Sequence, residues 1–206
     1  MIRPFSLRDI FRLRQLESRG VAFDLRRLLL YYRSPTQSAL LGYLTRHHLG
    51  TLTCIHSNGT LGTATAFVQV SPRPNRSEWD VVFLAPSLGE QRGTADVWLK
   101  LLNCVIVSGA EQDVERVYAR CSEDAETEDV LRQGGFTVVG REEIFALSRQ
   151  APPAVSPKGL RPLEARDVDA VRTLCCDAEP GDLRKAEELT LRGNSPPPFL
   201  LTRAVS

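Results

Sequence analysis

Lysine is nearly missing from this 206-residue chain, with three Lys against 23 Arg. That bias reads as composition rather than as a site, because 26 basic and 25 acidic side chains leave a formal charge of only +1. Without a bulk positive field there is no electrostatic reason to expect a nucleic acid or an anionic membrane as partner. Long apolar runs are also missing. The longest, such as Val81 to Ala85, hold about five residues against the ~20 that cross a bilayer, so no transmembrane helix is expected. Asp9 and Glu17 interrupt the start of the chain, which therefore lacks the acid-free character of a targeting segment, and a cytoplasmic location is expected. Five cysteines form an odd count with no C-x-x-C pair and no histidine at metal spacing. No metal site is expected, and a disulfide framework fits poorly. The three histidines, His47, His48 and His56, fall in a loop and near a turn, where none anchors a catalytic triad.

What is present describes an ordinary globular chain, 42% hydrophobic and 25% charged, with enough apolar material for one real core. Its length is one domain of roughly 150 residues and a remainder. Ser6 and Asp9 resemble a capping box ahead of the stripe Leu7, Ile10, Phe11 and Leu13, which predicts a first helix up to Gly20. Leu25, Leu28, Leu29 and Tyr32 recur at helical spacing and predict a second, with Pro35 as its stop. Ser38 to Leu44 and Thr51 to Ile55 are rich in strand formers. Asn58-Gly59 is a hairpin signal leading to a partner strand from Thr60 to Val70, closed by Pro72 and Pro74. Glu78 to Ala85 reads as a strand buried on both faces and as the sheet centre.

Gly93-Thr94 opens a helix whose Trp98, Leu101, Leu102 and Val105 share one face, ending near Gly109. Val114 to Arg120 then returns as a strand, so strand, helix and strand form a βαβ unit with a parallel pair. Ser122 is the expected cap of the next helix, Gly134-Gly135 its end, and Thr137 to Leu147 a last strand. The expected fold class is α/β with a central mixed β-sheet flanked by helices.

Ala151 to Pro157 has the composition of a stiff linker. Beyond it, Leu160-Arg161-Pro162 with Arg166-Asp167, Arg172 and Leu174 repeats Ile2-Arg3-Pro4 with Arg8-Asp9, Arg14 and Leu16 at a constant offset of 158 residues. The expected organisation is a domain over 1–150, a linker over 151–157, and the start of a second, incomplete copy over 158–206.

This order of elements resembles the GNAT superfamily of acyl-CoA-dependent N-acetyltransferases. The likeness covers residues 1 to about 149 and rests on four places. Ile2 to Asp9 looks like the family's first strand and helix, and Val82 to Pro86 like its central strand running into the cofactor loop. Glu90-Gln91-Arg92-Gly93-Thr94-Ala95 stands where the family has Q/R-x-x-G-x-G/A, and Gly135-Phe136 matches the Gly-Phe after its fourth helix. Physically, a diphosphate needs several backbone N–H donors and a helix N-terminus behind them, with glycine to let the backbone approach. Gly93 and Ala95 supply that room, and Arg92 a fixed charge.

The resemblance implies acetyl-CoA as co-substrate, held by Gln91, Arg92, Gly93, Thr94 and Ala95. Its arm would hydrogen-bond along Val82 and Leu84, where the two parallel strands splay and leave backbone exposed. It also implies a transfer of acetyl to a primary amine by direct attack, with a small-molecule or protein amine as acceptor; a homodimer is compatible with it. Glu78 and Asp80 share a face of the central strand and are the candidate bases. Two positions depart from the family's pattern. Glu90 puts a carboxylate where Gln or Arg is usual, and Leu131 stands where a proton-donating Tyr is common. Tyr118 and Cys121, nearby, read as sheet surface and as an inert thiol, so no catalytic acid is assigned. Glu111 to Asp129 carries eight acidic and two basic side chains, read as a solvated face. Two alternatives stay open: a GNAT-like domain that kept the fold without the chemistry, and an unrelated α/β module holding another phosphate ligand.

Overall fold

The computed structural model describes residues 1–23, 34–45, 51–58, 63–73, 77–90, 93–142, 161 and 164–178. The expected helix at Leu25 to Tyr32, the Asn58-Gly59 turn beyond Asn58, Gln91 and Arg92, the linker, and the segment Phe199 to Ala204 lie outside them. The chain divides into two compact units, 1–137 and 138–206.

The first unit is built on a six-stranded mixed sheet. In chain order it holds β1 (Ile2–Pro4), α1 (Ile10–Glu17), β2 (Val21–Ala22), α2 (Pro35–Leu44), β3 (Leu52–Asn58), β4 (Thr63–Pro72), β5 (Glu78–Ala85), α3 (Thr94–Ala110), β6 (Arg116–Ala119) and α4 (Ala125–Gln133). The sheet runs β1-β3-β4-β5-β2, and β6 joins β5 as the parallel partner that a βαβ unit requires. The bounds of β5 are those its apolar run predicts, and it pairs with three strands.

Two apolar layers cover the sheet. On one face Trp79, Val81, Leu84, Val68 and Val70 pack with Trp98, Leu101, Leu102 and Val105 of α3 and with Val130 and Leu131 of α4. On the other, Phe67, Phe83, Ala85 and Ile55 pack with Leu13 of α1 and Ala39 of α2. Gln69 is buried in the sheet, and its amide donates to the Pro35 carbonyl (2.7 Å) and to Thr53 Oγ1 (3.1 Å), tying the start of α2 to the strands.

Three expectations are corrected here. Ser38 to Leu44 is helix, not strand: Ser34 accepts from the Gln37 amide and Pro35 stands in the first turn, where its fixed φ starts a helix rather than stopping one. The cap of α4 is Asp124, whose carboxylate accepts from the Thr127 amide at 3.0 Å, not Ser122. Residues 137–142 form no strand; the rest of that expected strand lies outside the described residues.

The capping box at the chain start is present. Asp9 is buried, accepts from the Ser6 amide and hydroxyl (both 2.9 Å) and takes both nitrogens of the Arg3 fork at 2.7 and 2.6 Å. Burial alone would raise its pKa, but the hydrogen bonds from Arg3 and Ser6 and the Arg3 charge outweigh it, so the carboxyl titrates below its ordinary range. A depressed folded value means stability that is present above the unfolded pKa and lost as pH falls through the folded one. Asp9→Asn is therefore expected to cost about 1–2 kcal/mol at pH 7. The difference from the wild type should begin to narrow as pH falls below the ordinary aspartate value of about 4 and close only below the depressed folded value, as measured by urea unfolding across an acid pH series.

In the second unit, Arg161 meets Asp167 through both guanidinium nitrogens (2.7 Å each), and Asp167 accepts from the Glu164 amide at 2.9 Å. A 3-10 turn over Ala165–Asp167 leads into α5 (Val168–Ala178). These contacts repeat those of Arg3, Ser6 and Asp9, with the same 3-10 turn (Leu7–Asp9) ahead of α1. No helix among the described residues is long and apolar enough to cross a membrane.

Candidate functional site

The site begins with an irregularity in the centre of the sheet. Gln69 faces Phe83, but Val70 faces Val81, so Val82 is an extra residue on β5, a β-bulge. The bulge inverts the side-chain alternation. Trp79, Val81 and Leu84 point to the α3 layer, while Val82, Phe83 and Ala85 point to the α1 layer. At the same point β6 leaves: its last register partner is Ala119 against Val81. The pairing of the two parallel strands therefore ends next to the bulge.

The outer edge of β5 beyond that point is not left exposed, which corrects the expectation of free backbone there. Val21 pairs with Leu84, Ala22 with Phe83, and the Phe23 amide donates to the Val82 carbonyl at 3.0 Å. A bare strand edge is a liability, and the chain covers it with its own segment. Sequence reasoning took Ser18 to Gly20 only as the end of a helix; a two-residue strand has no periodicity to read. Three contacts seat it. The Arg19 carbonyl accepts from the Ser87 amide (2.6 Å), Phe23 is fully buried with its ring 5.7 Å from that of Trp98, and Gly20 lies so close to β5 that a Cβ there would stand 2.8 Å from the Leu84 carbonyl oxygen.

Below the parted strands the loop 86–90 leads to the N-terminus of α3. Trp98 Nε1 donates to the Pro86 carbonyl (2.8 Å), pinning the loop to the helix. Gly93 occupies the left-handed region at φ +83°, and among the described residues, its chain neighbours aside, no atom lies within 4 Å of where a Cβ would stand. Among the described residues α3 has no side-chain cap. Thr94 is buried in the first turn. α3 is 17 residues long and opens on a glycine, and a helix start presents backbone N–H groups and the positive end of its dipole. The Glu90 carboxylate, three residues before Gly93 in sequence, is held by Arg19, whose Nε is 2.5 Å from it. Gln91 and Arg92 lie outside the described residues.

Glu78 and Asp80 do share a face, as their spacing predicts, and one guanidinium takes both. Arg73 Nη2 and Nε lie 2.8 and 3.0 Å from the Asp80 oxygens, and Nη1 is 3.4 Å from Glu78. The Tyr118 ring lies under the cation, 3.8 Å from Cζ. Glu78 is buried, with 1% of its side chain exposed against 16% for Asp80. Burial disfavours the Arg73 cation, yet the hydrogen bonds and charge of Asp80, with Tyr118 and Glu78 adding to them, raise its pKa. Burial also raises Tyr118, against its hydrogen bond with Arg116. Leu131 is packed in the core ahead of Gly134-Gly135-Phe136, where Gly135 takes φ +88° and the Phe136 amide donates to the Leu131 carbonyl. Cys121 is half-buried with its thiol pKa raised by burial. No metal-holding group of residues is found among the described residues.

No family model matches the chain, and no curated protein matches it in sequence. Solved structures similar to it in fold do exist. A probable acetyltransferase aligns with a TM-score of 0.49 at 16% identity, over 74% of this chain and 99% of its own. The aminoglycoside N-acetyltransferase AAC(6')-Iy in complex with CoA aligns at 0.47 and 20%, over 72% and 99%. An N-acetyltransferase from Staphylococcus aureus Mu50 aligns at 0.49 and 12%, over 68% and 84%.

Proposed function

We propose that the first unit is an acetyl-CoA-dependent N-acetyltransferase acting on a small-molecule or protein amine. The observation that carries this reading is the coincidence of the Val82 bulge and the departure of β6 with the open, glycine-started N-terminus of α3. The diphosphate of the co-substrate fits that helix start, with Gly93, Thr94 and Ala95 as its near backbone and Gln91 and Arg92 just ahead. Its arm would use the edge of Val82 to Leu84, which requires β2 to yield it. A neutral amine then attacks the thioester carbonyl, the CoA thiolate leaves, and a base takes the ammonium proton. Asp80 is the better placed of the two carboxylates for that role, because Glu78 lies behind Arg73 and is almost fully covered. Incubating the chain with acetyl-CoA and a panel of primary amines, and reading free CoA release and acceptor mass, tests the reading. Asp80→Asn should slow transfer without weakening co-substrate binding, and no transfer to any amine would count against it.

A second reading is favoured by β2 and by the Arg19–Glu90 pair: a GNAT-like domain that kept the fold and lost the chemistry, serving as a structural or ligand-binding unit. It retains the anion-accepting helix start and loses the strand edge.

We further propose that residues from 158 onward begin a second copy of the same fold. In support, Arg161, Glu164 and Asp167 rebuild the contacts of Arg3, Ser6 and Asp9 at the offset of 158 residues. Asp167→Asn should speed amide exchange across α5 while leaving that of α1 unchanged. Equal exchange in variant and wild type would mean that the repeated ion pair does not organise this segment.

A further inference from the structure

Apart from the site, the fold brings two thiols together that the proposed chemistry does not use. Cys54 lies on β3 and Cys104 in the middle of α3, with their sulfurs 3.6 Å apart. Neither is in a disulfide. Cys54 is 4% exposed and sits in the apolar layer with Val68, Val70 and Leu101, whereas Cys104 is half-buried. A disulfide needs its sulfurs at about 2.05 Å, so a closure of about 1.5 Å by side-chain rotation or a small helix shift would suffice. The two residues are 50 apart in sequence, and a bond between them would tie α3, the helix whose N-terminus accepts the anion, to the sheet beneath it.

We propose that Cys54 and Cys104 are a reversible oxidation site, closed to a disulfide by a hydroperoxide and reopened by a thiol. The half-exposed Cys104 reacts first. Its thiolate attacks a peroxide oxygen, the O–O bond breaks, and the departing hydroxide takes up the proton the Cys104 thiol released, so that with hydrogen peroxide the products are Cys104 sulfenic acid and one water. Cys54 sulfur then attacks Cys104 sulfur, and the departing hydroxide takes the Cys54 proton as a second water. Two thiols and one peroxide thus become one disulfide and two waters, the peroxide being reduced and the sulfurs oxidised. The order follows from the environments. Burial first, then the neighbouring Cys104, pushes the Cys54 thiol up to about 12, which keeps it protonated and unreactive toward peroxide until an electrophilic sulfur lies against it.

The test uses the full chain, reduced, then treated with hydrogen peroxide and alkylated with N-ethylmaleimide under denaturing conditions. Reduced protein takes a label on each of its five cysteines; oxidised protein should take two fewer. A peptide map should show the Cys54 and Cys104 peptides joined, released by dithiothreitol. Oxidation should also raise the melting temperature by about 5 °C, because a loop of this length is closed. Cys104→Ser should abolish both the loss of two labels and the thermal shift, and the wild-type peptide map stands even if that variant folds poorly. Full labelling after peroxide, a bridge to Cys121, Cys175 or Cys176 instead, or sulfinic acid at Cys104 with Cys54 still alkylated would overturn the assignment.

Discussion

Replacing Arg73 with alanine is expected to destabilise the first unit by about 3 kcal/mol. Its guanidinium is the group that both Asp80 and the buried Glu78 face, at 2.8 and 3.4 Å, and its side chain is itself only 12% exposed. Pairs at a protein surface contribute under about 1 kcal/mol, but here removing the cation leaves two carboxylates side by side on one strand face without it. The Arg120 guanidinium also pairs with Asp80, at the longer distance of 3.9 Å and from a more exposed side chain. The expectation is therefore asymmetric. Arg73→Ala should be severe in urea unfolding, while adding Glu78→Gln and Asp80→Asn to it should restore most of the loss. A single-variant cost under about 1 kcal/mol would show that other groups around the two carboxylates make up for the lost cation.

Gly20→Ala carries the second large effect. A Cβ at this position would stand 2.5 Å from Phe83 Cζ and 2.8 Å from the Leu84 oxygen, so the β2 backbone must move off β5. Strain of this kind costs roughly 2 kcal/mol. Two further readouts separate the effect from plain destabilisation. The amides of Val21 to Phe23 should exchange faster than those of β3 and β4, and acetyl-CoA should bind about tenfold tighter, because an edge used to hold the chain's own strand becomes free for a ligand. Faster exchange with unchanged binding would mean that β2 covers an edge no ligand uses.

The parts of the fold that were legible in the sequence are those set by local pattern. The continuous run Glu78 to Ala85 marked the central strand, the helical spacing of Trp98, Leu101, Leu102 and Val105 marked α3, and the short return to Arg116 marked the parallel pair. Patterns failed where one residue has two meanings. Pro35 ends one helix and starts another equally well, and only the Ser34 cap decides it. They were silent where the partner is distant. Val21 meets Leu84 across more than sixty residues of chain, and Arg73 reaches Asp80 through a loop whose composition carries no code. The same holds for the site. Glu90 stood out as a carboxylate in an anion's place, but its partner Arg19 follows from the fold alone. The likeness between the Arg3–Asp9 and Arg161–Asp167 contacts was legible because an arginine fork and a capping aspartate need fixed spacing, six residues apart at both places.

The helix start at Gly93 is proposed to receive the phosphates of an acyl-CoA. Isothermal titration of acetyl-CoA into the wild type and into Glu90→Gln tests it most directly, with thermal stabilisation read on the same samples. Binding should be measurable in both, and about two- to fivefold tighter in Glu90→Gln, because the substitution removes a negative charge three residues before Gly93 and loosens its hold on Arg19. No heat and no stabilisation in either protein at about a millimolar ligand, a concentration that would report even weak binding, would contradict it.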